Sequence, residues 1–187
     1  WVTDPAGYSS GTYRVWYGVL GEAEDRSFGQ YNQRTADLDA VSWAAPRSLA
    51  VKAAGNSRGG VPPPSAGGAF LFREDGVFYS ATYGSPHSPQ AHWWDQGGRD
   101  TLVPPNAGKN ILTVGNAKGG IDEETGERDL ALVEMSDSSS WGPTDDWRIK
   151  PDVVAIGTMS ADVPRASGDD SYSSFGGTSA ASPVAAS

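Results

Sequence analysis

The run Gly177-Thr178-Ser179-Ala180-Ala181-Ser182-Pro183 constrains this chain more than any other stretch, and every residue after Ser179 is small or proline. Small side chains let a backbone turn sharply and let a helix begin in a crowded place. A helix that starts here leaves backbone N–H groups unpaired, with the positive end of its dipole facing outward. Ser179 then stands where an acyl-transfer nucleophile belongs, because negative charge develops beside it during attack. Pro183, expected near the end of the first turn, lacks the N–H that helix spacing would direct at the Ser179 carbonyl. The same residues also suit an ordinary helix that opens on a Ser/Thr cap. Taken alone, the run leaves both readings open.

A second segment favours the nucleophile. Ser48 to Ala54 is short and mostly apolar, and Gly55-Asn56-Ser57 stops it. It reads as a buried parallel strand ending in a tight turn, with Asn56 at the carboxyl end, where open α/β sheets build their sites. The Asn56 amide supplies an N–H donor to an oxyanion, whereas an aspartate there would repel one. The plainer alternative is an ordinary turn asparagine. Between these two blocks, Ser138-Ser139-Ser140-Trp141-Gly142-Pro143-Thr144 reads as a loop, and Arg148-Ile149-Lys150-Pro151-Asp152-Val153-Val154-Ala155 enters another apolar strand.

Together the three blocks resemble the subtilisin-like serine proteases, the subtilases. Ala53-Ala54-Gly55-Asn56 is similar to the family's oxyanion-hole strand end, Ser139 to Asp152 to its S-S-x-G-P-T…R-I-K-P-D block, and Gly177 to Pro183 to its nucleophile motif. Lys109-Asn110-Ile111-Leu112-Thr113-Val114-Gly115 is similar to the strand that follows the oxyanion segment. Trp16-Tyr17-Gly18, Glu24-Asp25 and Phe28-Gly29-Gln30-Tyr31 resemble an insertion of some secreted bacterial members. The resemblance implies Ser179 as nucleophile, Asn56 as oxyanion donor, and Ala53, Ala54, Gly55, Gly177 and Thr178 as residues shaping the substrate side. It implies an α/β fold of three layers, αβα, around a mainly parallel sheet.

The family orders its triad Asp, His, Ser, so the resemblance implies a His and an Asp upstream of Trp1. The only histidines, His87 and His92, lie in Gly84-Ser85-Pro86-His87-Ser88-Pro89-Gln90-Ala91-His92-Trp93-Trp94, which reads as loop. The S1-lining Ser-x-Gly strand is likewise expected before Trp1, with Val19-Leu20-Gly21 only a superficial match. Ala180 stands where the family often has Met. The sequence stops little more than two turns into the helix that Ser179 opens, a helix expected to continue through the core, so both ends read as cut. The whole of 1–187 is expected to be part of one catalytic domain, with 1–30 an insertion loop and 31–187 running from oxyanion strand to nucleophile helix.

Length suffices for one sizeable core at 187 residues, and 24 glycines with 13 prolines suit a loop-rich domain. A net charge of −9 argues against nucleic acid or anionic membrane as partner, because both need basic surface. The absence of cysteine rules out disulfides and thiolate metal sites. Tyr31, Leu38, Val41 and Ala45 recur at helical spacing before Pro46, predicting a helix over 31–45. Phe70-Leu71-Phe72 and Val77-Phe78-Tyr79 predict a hairpin within an otherwise irregular 57–108. Ile121 to Asp129 gathers carboxylates at a predicted hairpin tip. Calcium, as a structural ion there, is the one metal candidate, against a merely solvated tip. Asp145, Asp146 and Arg148 predict a surface turn with a local ion pair, and Trp93-Trp94 predicts inward packing rather than a carbohydrate platform.

The expectation is therefore a secreted, extracellular serine endopeptidase acting on peptides or proteins through an acyl-enzyme, with no required cofactor and no metal at its site. A subtilase-like domain that only binds, and an unrelated extracellular binding module, are the alternatives. Cleavage preference and oligomeric state are not legible.

Overall fold

Strand β6, Ile111–Lys118, organises the architecture because it is buried along nearly its whole length. Ile-Leu-Thr-Val-Gly-Asn-Ala carries no charge until Lys118, the near-continuous apolar pattern of a strand covered on both faces. The computed structural model describes residues 2–3, 12–16, 26–58, 69–74, 77–82, 98–122, 124–157, 161–164 and 172–187. Along one edge of β6 lies β3 (Ala50–Ala53), parallel and in register from Ala50 opposite Ile111 to Ala53 opposite Val114. β8 (Val153–Ile156) lies on the other edge, parallel, from Val153 opposite Val114 to Ile156 opposite Ala117. The short β7 (Glu134–Met135) is antiparallel to β6, with Met135 opposite Ala117. Because Ala117 pairs with both Met135 and Ile156, β7 shares the β3 edge, end to end with it.

Helix α2 (Thr178–Ala186) packs across β6, β8 and β3. Its buried residues are Thr178 and Ala181, both closed to solvent, so a side of small residues meets the sheet. Pro183 is inside the helix as its sixth residue, past the first turn and not at its end. An α/β architecture with a mainly parallel central sheet thus stands among the described residues.

Helix α1 (Gln33–Ala44) falls within the predicted span and is capped by Asn32, whose Oδ1 accepts from the Thr35 N–H at 3.2 Å. The expected apolar face is not what anchors it. Its buried residues are Thr35 and Asp39, whereas Val41 and Trp43 are 66% and 79% exposed. Asp39 accepts from the backbone N–H groups of Lys109 and Asn110, at 2.7 and 2.8 Å, and from the Tyr31 hydroxyl at 2.7 Å. The helix is therefore tied to the approach of β6 by a carboxylate.

A second sheet has the order β1-β2-β4-β5, formed by Val2–Thr3, Thr12–Trp16, Ala69–Glu74 and Val77–Thr82. β4 and β5 form the predicted antiparallel hairpin. β1 and β2 correct the reading of 1–30 as loop: β2 is parallel to β4, so extended backbone there is held by a distant partner that local composition does not reveal. β9 (Ala161–Pro164) and β10 (Tyr172–Phe175) pair antiparallel. The acidic tip closes as predicted, with Ile121 bridged to Arg128 and the Asp122 Oδ1 accepting from the Glu124 and Thr125 N–H groups. Those bonds hold the Asp122 carboxyl below its ordinary range. Among the described residues no three His, Cys, Asp or Glu side chains converge on a metal-sized site.

Candidate active site

Three segments meet where β3 ends. Past Ala53, the Ala54 N–H still donates to the Val114 carbonyl at 2.8 Å, while the Ala54 carbonyl accepts from the buried Asn106 Nδ2 at 2.8 Å. β3 then leaves the sheet, but β6 continues to Lys118. Residues 136–140 fill the vacated edge. The Ser136 N–H donates to the Asn116 carbonyl and the Ser140 N–H to the Gly55 carbonyl, at 2.9 and 2.8 Å. The Ser139 Oγ accepts from the Asn116 N–H and the Ser140 Oγ from the Ser57 N–H, both at 2.9 Å. Ser139 and Ser140 are fully buried, so each backbone group freed by the departure of β3 gains a polar partner in place of water.

Against this strand end rests the start of α2. Asn56 Oδ1 accepts from both the Thr178 N–H and the Thr178 Oγ1, each at 3.1 Å, and Thr178 Oγ1 accepts from the Gly55 N–H at 3.2 Å. A backbone N–H can only donate, so these bonds fix which way the carboxamide faces: Oδ1 inward, Nδ2 outward. Among the described residues Nδ2 has no partner. Asn56 and Ser179 are exposed while Thr178 is buried. Ser179 is the second residue of α2, where backbone N–H groups lie outside the helical ladder.

Gly177 makes this approach possible. It caps α2 at φ 85°, and a Cβ there would sit 3.0 Å from both Asn56 Nδ2 and Oδ1. Any other residue would be strained and would push the amide away. The ordinary reading of the run, a helix opened by a Ser/Thr cap, is corrected: the cap residue is Gly177, with no side-chain cap bond.

Ala54, Gly55 and Asn56 are thus brought together with Gly177, Thr178 and Ser179, although more than 120 residues separate Asn56 from Thr178. Ala53 closes β3 beside them. His87, His92 and the Trp93-Trp94 pair lie outside the described residues. Among the described residues neither Asn56, Thr178 nor Ser179 pairs with an ionised side chain. Toward the opposite end of β6 lie Asp39, the Lys150–Asp152 pair at 2.6 Å, and Asp146, whose carboxyl Arg148 and Thr144 hold down to about 2, while at the near end Lys118 pairs with Asp137 at 3.0 Å. Arg148 and Asp146 form the predicted ion pair at 2.9 Å. Asn106, Asn116 and Gly157 were not singled out by motif. The signal for Asn116 was a polar residue inside an otherwise apolar strand.

In this parallel-sheet α/β protein a strand-end asparagine is joined, through Thr178, to the start of the helix that carries Ser179. The chain belongs to the subtilase family, peptidase S8, whose model matches residues 7–187. It is a serine peptidase by family, and peptides or proteins are its class of substrate. No curated protein matches it.

Proposed function

We propose that this chain carries the nucleophile and oxyanion half of a secreted serine endopeptidase built on the three-layer αβα plan. The observation that supports it most is the pair of hydrogen bonds that Thr178 donates to Asn56 Oδ1, which leaves Nδ2 outward beside the start of the Ser179 helix. In this reading Ser179 Oγ attacks the scissile carbonyl. The Asn56 Nδ2 and the Ser179 backbone N–H donate to the carbonyl oxygen as it becomes anionic, a charge that fixed donors stabilise without reorganising. Ala53, Ala54 and Gly55 form one wall of the pocket for the residue preceding the scissile bond, and Gly177 and Thr178 shape the turn.

Collapse of the tetrahedral species breaks the C–N bond, releases the amine and leaves an ester on Ser179. Water then hydrolyses that ester, returning the serine and an acid. The proton leaving Ser179 goes to a histidine oriented by an aspartate, which the family order assigns upstream of Trp1. No cofactor enters this chemistry. A net charge of −9 accords with an extracellular, acidic enzyme.

A fluorophosphonate probe on the intact protein tests the assignment. Labelling is expected on Ser179 and is expected to vanish in Ser179→Ala. Undiminished labelling of that variant refutes the nucleophile, and an unlabelled wild-type protein favours a binding-only domain.

A further inference from the structure

Asn116 is a buried polar residue in the middle of an apolar strand, only 1% exposed, and the chemistry above does not use it. Its side-chain Oδ1 accepts from the Gly157 N–H at 2.8 Å, just past the end of β8. The Gly157 carbonyl in turn accepts from the Gly177 N–H at 2.9 Å, and Gly177 is the cap that aims the start of α2. The contact is close on every side. A Cβ on Gly157 would lie 2.3 Å from the Gly177 carbonyl oxygen, 2.6 Å from the Ala181 nitrogen and 2.8 Å from Asn116 Oδ1. The backbone of the same residue supports the other half of the site. The Asn116 N–H is held by Ser139, whose neighbour Ser140 holds Gly55 and Ser57 on either side of Asn56.

We infer that Asn116 is a positioning residue for acyl transfer: its carboxamide fixes Gly157, and through Gly157 the Gly177 turn that sets Ser179 against Asn56. The inference rests on the reading of Ser179 and Asn56 as nucleophile and oxyanion donor. An apolar side chain at 116 leaves the Gly157 N–H without this acceptor, so Gly157 is held less firmly over β6. The alignment that suffers is between the two oxyanion donors, which come from opposite sides of this joint. Binding of the substrate chain does not depend on that alignment, so kcat carries the effect and KM does not.

The test uses the intact protein with fluorescein-labelled casein and a fluorophosphonate probe. Asn116→Ala is expected to lower kcat and the labelling rate by about tenfold, the size of one lost buried hydrogen bond at the transition state, with KM within about twofold. Asn116→Ser, whose hydroxyl is too short to reach, is measured in parallel and gives the same reading if the alanine variant does not fold. Because both residues act on one oxyanion, the effect is expected to shrink to less than about threefold in an Asn56→Ala background. Ile111→Val, at the far end of β6, is the control for instability and is expected to keep wild-type kcat. Wild-type kcat in Asn116→Ala overturns the inference. So does full multiplicativity with Asn56→Ala, or an equal kcat loss in the Ile111 control. Ser179→Ala separates the two levels: if it still labels, the underlying site reading fails, and if it is silent while Asn116→Ala labels normally, only the positioning role fails.

Discussion

Thr178→Val isolates what locks the candidate oxyanion donor. Thr178 is fully buried, and valine matches it in volume, so no cavity opens and no packing is lost. Two hydrogen bonds disappear: the hydroxyl no longer donates to Asn56 Oδ1, and the Gly55 N–H loses its acceptor. Stranding a buried donor costs about 1–3 kcal/mol. Relief from desolvating a hydroxyl returns part of that, which leaves a net destabilisation of about 1–2 kcal/mol. For a chain of this size that corresponds to a fall in Tm of about 2–8 °C.

The effect on turnover follows from the same bonds. Among the described residues Asn56 then keeps only the Thr178 N–H as an anchor, so the carboxamide is held less firmly and Nδ2 spends less time aimed outward. If the transition state loses a comparable 1–2 kcal/mol, kcat falls about 5- to 30-fold with KM nearly constant. Thr178→Ser is the companion variant. It keeps the hydroxyl and deletes a buried methyl, so it loses about 1 kcal/mol of stability but stays within about threefold of wild-type kcat. Steady-state kinetics and thermal melts on the three proteins decide the matter. A serine variant slower than the valine variant refutes the claim that the hydroxyl, rather than packing, holds Asn56 in place.

Asn56→Ala is expected to lower kcat by about 10²–10³ with KM little changed, a magnitude taken from the subtilisin oxyanion asparagine rather than worked from this geometry; near-normal kcat refutes the donor role. Asp39→Asn tests the polar anchor of α1. Burial alone raises the Asp39 carboxyl, but the Asn110 and Lys109 N–H groups and the Tyr31 hydroxyl outweigh it, so the folded value lies below the ordinary one. A depressed carboxylate stabilises the fold above its unfolded pKa, near 3.9, and that contribution is lost as pH falls through the folded value. Asp39→Asn should therefore cost about 2 kcal/mol at pH 7 and progressively less as pH falls through the folded value, read from urea midpoints; a pH-independent difference defeats the assignment. Gly157→Ala forces a methyl within 2.3 Å of the Gly177 carbonyl, so destabilisation of at least about 2 kcal/mol and a fall in kcat are expected. Unchanged melting would refute the close packing of Gly157 against Gly177 and Ala181.

The parts that were legible in the sequence are those where residue type leaves the backbone little choice. Gly177 before a run of small residues permits a helix start in contact with Asn56, and Ala53-Ala54-Gly55 permits a strand that ends abruptly. The β4–β5 hairpin was legible because its partners are neighbours in the chain. α1 was legible in extent but not in attachment. Leu38 and Val41 suggest an apolar face, whereas the helix is held by Asp39, and a buried carboxylate has the same letter as a solvated one. Asn116, Ser139 and Gly157 were illegible for a related reason. Their partners are 23 and 41 residues away, and only the register of β3, β7 and β8 along β6 brings them together.

That register also decides what kind of site this is. β3 is in step with β6 only as far as Val114, and β8 only as far as Ala117. Past Val114 the β3 edge of β6 therefore offers backbone groups that β3 no longer satisfies. Uncharged groups answer them and continue across the joint: the Ser139 hydroxyl and the Ser136 N–H on the Asn116 backbone, the Asn116 carboxamide on Gly157, the Ser140 hydroxyl on Ser57, and beyond them Thr178 on Asn56. In the proposed reading such a joint stabilises developing negative charge with dipoles that do not titrate between pH 4 and 9. Its contribution to kcat is accordingly flat with pH across that range, while its sensitivity to a single methyl at 157 or a single hydroxyl at 178 is high. A pH–rate profile for Asn56→Ala or Thr178→Val should be displaced downward with its midpoints unmoved. A shifted midpoint would mean that these residues touch the general base itself, and that the division between an uncharged oxyanion joint and a titrating base drawn from other residues is wrong.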